Sequence, residues 1–216
     1  ALSGTGAEVA ALQITPTSFD FGGVLVGNDA FASFSLANTG DAITTLTLTA
    51  PMLAAGSDAE FSITGGDCTA GTELIGAGAA CTVEITFAPT SLSGPFTGTL
   101  EVGSDANAVT AALSGNALPP AELAIDSANF DFAGVVVGET ANTNFVLSNS
   151  GDVSSSLSLT AISTTGTDFS VIGGDCVAGT TTLSGGDSCS VEVQFAPTAE
   201  GAASGSLDVT SDAGDV

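Results

Sequence analysis

An internal repeat constrains this chain more than any other feature, because it fixes the number of domains before any single element is read. Phe19-Asp20-Phe21-Gly22-Gly23-Val24 returns as Phe130-Asp131-Phe132-Ala133-Gly134-Val135. Gly27/Gly138, Phe34/Phe145, Leu36/Leu147, Asn38/Asn149, Gly40/Gly151, Asp41/Asp152, Leu46/Leu157 and Leu48/Leu159 follow at the same offset. After a length difference near Pro51 to Asp58 the match resumes with Phe61/Phe169, and then with Gly65-Gly66-Asp67-Cys68 against Gly173-Gly174-Asp175-Cys176. Cys81/Cys189, Phe87/Phe195 and Pro89/Pro197 complete it. The chain of 216 residues is therefore two copies of one domain, and 44% hydrophobic residues suffice for two modest cores.

Within each copy the apolar period is two. Phe34 and Leu36, Leu46 and Leu48, Phe61 and Ile63, and Cys81, Val83, Ile85 and Phe87 each fall on one face. Thr, Ser and Glu take the alternate positions, as antiparallel strands with one wet face require. Asn38-Thr39-Gly40-Asp41 and Asn149-Ser150-Gly151-Asp152 supply turn chemistry, and no segment has a helical stripe. Roughly seven short strands in about 100 residues predict an all-β fold of two tandem immunoglobulin-like sandwiches. Residues 1–11 read as a free N-terminal strand and linker, 12–117 as the first sandwich, 118–123 as a Pro-rich linker, and 124–216 as a second, incomplete sandwich. Two prolines stiffen the linker, so a rod-like tandem is expected sooner than a cleft.

The chain has no Lys, Arg or His and 24 acidic residues. Nothing on it can neutralise phosphate, so nucleic acid and anionic membrane surfaces are excluded as partners. No apolar run approaches a bilayer-spanning length. Cys68/Cys81 and Cys176/Cys189 share one spacing; without His, in so acidic a chain, they read as disulfides of an exported protein. Each bridge closes a short loop, for which chain entropy gives roughly 3 kcal/mol. Starting at Ala1, the chain reads as a processed or excised piece.

Catalysis finds no support. Ser and Thr lack a basic partner, paired carboxylates lack Trp, Tyr or a cation to hold a sugar, and Gly65-Gly66 and Gly173-Gly174 precede neither a helix nor a Lys. The turn acids Asp41, Asp67, Asp105, Asp152, Asp175 and Asp212 could collect Ca²⁺, although no EF-hand spacing appears. Otherwise no cofactor is expected. Glu84 and Glu101 sit between apolar neighbours and so face solvent.

The Phe-Asp-Phe-x-Gly-Val opening, the Asn-Thr/Ser-Gly turn, the Gly-Gly-Asp-Cys to Phe-Ala-Pro-Thr block and the Ala-Leu-Ser-Gly ending together resemble bacterial choice-of-anchor D repeats. Those repeats are similar to Hydin-type ASH domains and to major sperm protein domains. The resemblance covers nearly the whole chain. It implies an immunoglobulin-like fold, surface-exposed proteins built as strings of such domains, and no reaction.

The second copy departs from that pattern. The first ends Val109-Thr110-Ala111-Ala112-Leu113-Ser114-Gly115, whereas the second reaches Val216 where its last strand should start. Its edge at Leu207, Val209 and Val216 is therefore predicted to lie open, an aggregation hazard unless filled. The missing words stand at the opposite end, as Ala1, Leu2, Ser3, Gly4, Thr5 and Gly6. The expected role is a secreted structural subunit of a filament or pilus-like surface fibre. Copies would join head to tail as residues 1–6 of one complete the sandwich of the next. Two alternatives stand beside it. The chain could be one period of a covalent array, since joining Val216 to Ala1 shortens the strand by two residues but keeps Val216 and Leu2 on one face. It could also be a stalk segment of a long adhesin whose ligand-binding domain lies elsewhere.

Overall fold

The computed structural model describes residues 1–216 and is all-β. Two compact units divide the chain, Ala1–Leu118 and Pro119–Val216.

In the first unit the strands are β1 (Leu12–Thr15), β2 (Ser18–Leu25), β3 (Ala30–Asn38), β4 (Thr45–Thr47) and β5 (Met52–Leu53). They continue with β6 (Phe61–Gly66), β7 (Glu73–Ile75), β8 (Ala80–Phe87), β9 (Phe96–Gly103) and β10 (Ala108–Leu118). One sheet runs β1-β3-β8-β6 and the facing one β2-β10-β9-β5, with β4 and β7 paired separately. Alternation along β3 and β8 sends Phe34, Leu36, Val83, Ile85 and Phe87 into the core between the sheets, where Leu100, Ala111 and Leu113 meet them. One pairing departs from the antiparallel expectation: β10 runs antiparallel to β9 but parallel to β2. β10 thus fills the centre of its sheet and has partners on both sides.

The second unit contains β11 (Leu123–Ile125), β12 (Ala141–Asn149), β13 (Ser156–Thr164), β14 (Phe169–Gly174) and β15 (Thr182–Ser184). β16 (Ser188–Phe195), β17 (Leu207–Ser211) and β18 (Gly214–Asp215) follow. Its sheets run β11-β12-β16-β14 and β15-β13-β17-β18. The first sheet repeats that of unit one strand for strand. The second does not, because the Phe130–Val137 stretch that corresponds to β2 forms no strand.

Cys68 is bonded to Cys81 and Cys176 to Cys189, with Cα–Cα separations of 5.3 and 5.2 Å. The Asn of each Asn-x-Gly turn does more than punctuate. Asn38 is fully buried, donates from Nδ2 to the carbonyls of Thr44 and Leu74, and accepts from the Gly40 amide at Oδ1. Asn149 repeats this, donating to Ser155 Oγ and the Leu183 carbonyl and accepting from the amides of Gly151 and Glu122. Each is a buried polar pin whose hydrogen bonds tie the turn to strands remote in sequence.

Candidate functional site: an open groove in the second sandwich

A groove of about 1170 Å³ opens in unit two, lined by Phe130, Phe132, Val135, Phe195, Leu207 and Val216 among others. In unit one the corresponding place is taken by β10. The consequence is legible residue by residue. Phe87 is fully buried, while its counterpart Phe195 keeps 8% of its surface exposed. Phe34 and Phe145 differ in the same way, at 0% and 9%. Val24, Phe61 and Leu100 are buried, while Val135, Phe169 and Leu207 are only half-buried. Phe130 is more exposed than Phe19.

The walls nevertheless keep their arrangement. Phe169 stacks on Phe195 at 4.9 Å, as Phe61 does on Phe87. Phe132 lies 6.0 and 5.6 Å from those two rings, against 5.8 and 5.7 Å for Phe21. The backbone turn in the unpaired stretch is retained as well. Asp131 Oδ1 accepts from the Ala133 amide at 2.8 Å, as Asp20 Oδ1 accepts from Gly22 at 3.0 Å. Ala133 adopts φ 55°, the left-handed conformation that Gly22 takes at φ 67°. An L-residue with a Cβ does so at a steric cost of about 1 kcal/mol. The groove is thus a preformed aromatic trough. One ring is absent from it, because Phe96, which packs 5.6 Å from Phe87, has Ala203 as its counterpart.

Of the three predicted edge residues only two border the groove, and the edge at Val209 is not open as expected, because β18 and Val216 pair along it. Leu207 and Val216 line it, and Val209 is buried beneath, its amide and carbonyl both bonded to Val216. The opposite wall, Phe130–Val137, was not anticipated from the sequence. Its signal was present in the close match to β2, but a parallel strand pair joining the two ends of a domain leaves no trace in local periodicity. The segment Ala1–Gly6 is outside any strand and exposed throughout, with Leu2 entirely in solvent. Chain anchoring begins only at Glu8, whose amide donates to Asp41 Oδ2 at 2.7 Å.

The six turn acids are not brought together. Asp41 and Asp105 cap loops of unit one by accepting from the amides of Glu8 and Thr47, and Asp212 accepts from Ser158 in unit two. Asp67 accepts from both the amide and the hydroxyl of Thr82, and Asp175 likewise from Ser190. Asp152 accepts from the amide and hydroxyl of Ser154. Accepted hydrogen bonds hold Asp67, Asp152 and Asp175 below the usual carboxylate range; the amide of Thr82 is the main cause for Asp67, and the hydroxyls of Ser154 and Ser190 for the other two. The single cluster of three donors, Asp67 with Cys68 and Cys81, has both sulfurs committed to the disulfide. These carboxylates act as loop caps.

Comparison with known families agrees with this architecture. Residues 10–116 match the family described as HYDIN/CFA65/VesB-like, Ig-like domain. Residues 121–215 match the one described as ASH, abnormal spindle-like microcephaly-associated, ASPM-SPD-2-Hydin. Both halves are immunoglobulin-like domains of the ASH/Hydin type. This tandem is accordingly a structural, repeat-type module, and such domains are generally non-catalytic.

Solved structures similar to these ASH/Hydin-type domains include the ASH/PapD-like domain 7 of human CEP192, at 16% identity and a TM-score of 0.36, over 50% of this chain and 85% of that one. The Vibrio cholerae VesB protease is similar at 18% identity and TM-score 0.36, over 50% of this chain and 31% of its own. Across 99% of the present chain, the I67–I69 fragment of titin is similar at 11% identity and TM-score 0.31, with 64% of that fragment covered. No curated protein matches the chain.

Proposed function

We propose that this tandem is a structural subunit of an extracellular filament or pilus-like surface fibre, in which residues 1–6 of one copy complete the second sandwich of another. One observation carries the reading. The groove lies where β10 lies in unit one, and the exposed Ala1-Leu2-Ser3-Gly4 repeats the Ala112-Leu113-Ser114-Gly115 of β10 word for word. Leu113 and Gly115 are buried and Ala112 is exposed, so Leu2 and Gly4 are the residues that would turn inward. Donated backbone would satisfy a sheet centre on both sides, and Leu2 would leave water. A head-to-tail contact of this kind need not close, so the product is a linear assembly. The two disulfides suit an oxidising exterior and reinforce both domains there.

Leu2→Asp tests it. Placing an unpaired carboxylate in the trough costs several kcal/mol, so electron microscopy should find fibres of the wild-type chain and isolated particles of the variant. Fibres from both would sink the donated strand. Denaturing electrophoresis of native fibres under reduction separates the remaining reading: the single-chain mass supports exchanged strands, and a much longer chain a covalent array or adhesin stalk.

A further inference from the structure

We infer that the groove selects its strand by a glycine, and that Gly4 against Phe195 fixes the register. The inference rests on the donated-strand reading above and adds to it the residue that decides which strand fits. A Cβ on Gly115 would approach the Phe87 ring to 2.6 Å, closer than carbon atoms pack, so β10 crosses that ring only at a glycine. Phe195 holds the same place in the aromatic stack of unit two, and Gly4 the same place in the repeated words.

A second feature marks the same point. The β2–β10 pairing shifts register between Ser114 and Asn116, opposite the left-handed turn at Gly22. Unit two already carries that turn at Ala133, held by Asp131, although no strand lies beside it. The wall therefore presents one bulge, and a donated strand in register meets it between Ser3 and Thr5, with Gly4 on the ring.

The other edge agrees. Ala112 pairs with Thr99 and Leu113 with Gly98 on β9, and the counterparts of those partners are Ser206 and Gly205. Ala1 would then lie opposite Ser206 while Val216 pairs with Val209, leaving two positions between them. Sliding the strand by two residues away from Val216 would carry Leu2 onto Phe195. Sliding it two toward Val216 would close that space and bring Gly6 onto the ring, but would set Leu2 in the place of the fully buried Ala111 and leave that of Leu113 to Gly4. Only the register with Gly4 on the ring also seats Leu2.

The test uses the full chain in three forms: wild type, Gly4→Ala and Ser3→Ala. Residues 1–7 are exposed and outside any strand, so none of these changes bears on folding. Sedimentation across a concentration series reads assembly. Overpacking at a rigid ring should weaken the Gly4→Ala contact by at least about tenfold, while the outward-facing Ser3→Ala matches wild type. Greater strand propensity of Ala over Gly would push the other way, so a loss is steric in origin. Equal assembly of Gly4→Ala and wild type overturns the register and leaves the donated strand standing, as does an equal loss in Ser3→Ala. Failure of the wild type to assemble overturns the donated strand itself.

Discussion

At the scale of single residues, the turn acids act as hydrogen-bond acceptors. Asp67 and Asp175 each collect an amide and a hydroxyl at the start of the cysteine block, and the accepted bonds lower their pKa in the folded protein. A carboxylate depressed on folding contributes stability that is complete above its unfolded pKa and is lost as pH falls through the folded value. The window is therefore acidic, opening below about pH 4. Neutral-pH titration should leave stability flat. Asp67→Asn combined with Asp175→Asn should flatten the acid limb of a melting-temperature profile between about pH 4 and pH 2. An unchanged acid limb would show that these caps carry no linkage.

At the scale of elements, the Phe130–Val137 stretch is informative because its sequence is that of a strand and its structure is not. Phe130-Asp131-Phe132 and Phe19-Asp20-Phe21 hold the same side chains against the same rings, yet only β2 has a neighbour whose amides and carbonyls it can pair with. Strand character here is conferred by the partner and not by propensity. Amide exchange measures it: Phe19–Leu25 should be protected in every state, and Phe130–Val137 should exchange fast in the single chain and slowly once assembled. Slow exchange at Phe130–Val137 in the isolated chain would contradict an unpaired wall.

The same element separates what the sequence makes legible from what it does not. Period-two runs such as Ala80–Phe87 name their strand and buried face directly, and the repeat turns one such reading into two. The equal cysteine spacing pointed to its bridges. Parallel pairing of β2 with β10 escaped, because it joins residues far apart in sequence and depends on no local pattern. The buried role of Asn38 and Asn149 escaped for the same reason, since Leu74 and Leu183, their distant acceptors, are identified only by the packed sandwich. Alignment with unit one places Leu207 and Val216 beside the groove but not the pairing of Val216 with Val209, which closes the edge there, and the opposite wall needed the β2–β10 pairing.

At the scale of the whole molecule, the charge decides how copies can meet. With 24 acidic residues and no cationic side chain, every approach of one copy to another is repulsive at long range. The groove is walled by aromatic and aliphatic side chains and its lining holds no cation, so no pair of charged side chains holds the contact together. Screening therefore acts in one direction. Raising ionic strength from about 0.01 M to 0.15 M shortens the Debye length from about 30 Å to about 8 Å, which removes the repulsion and leaves burial of Leu2 intact. Light scattering should show assembly accelerating and the critical concentration falling over that range. Monovalent salt should suffice, since the effect is one of screening. Slower assembly at higher salt would mean that opposite charges hold the copies together, which contradicts a contact made chiefly by apolar burial.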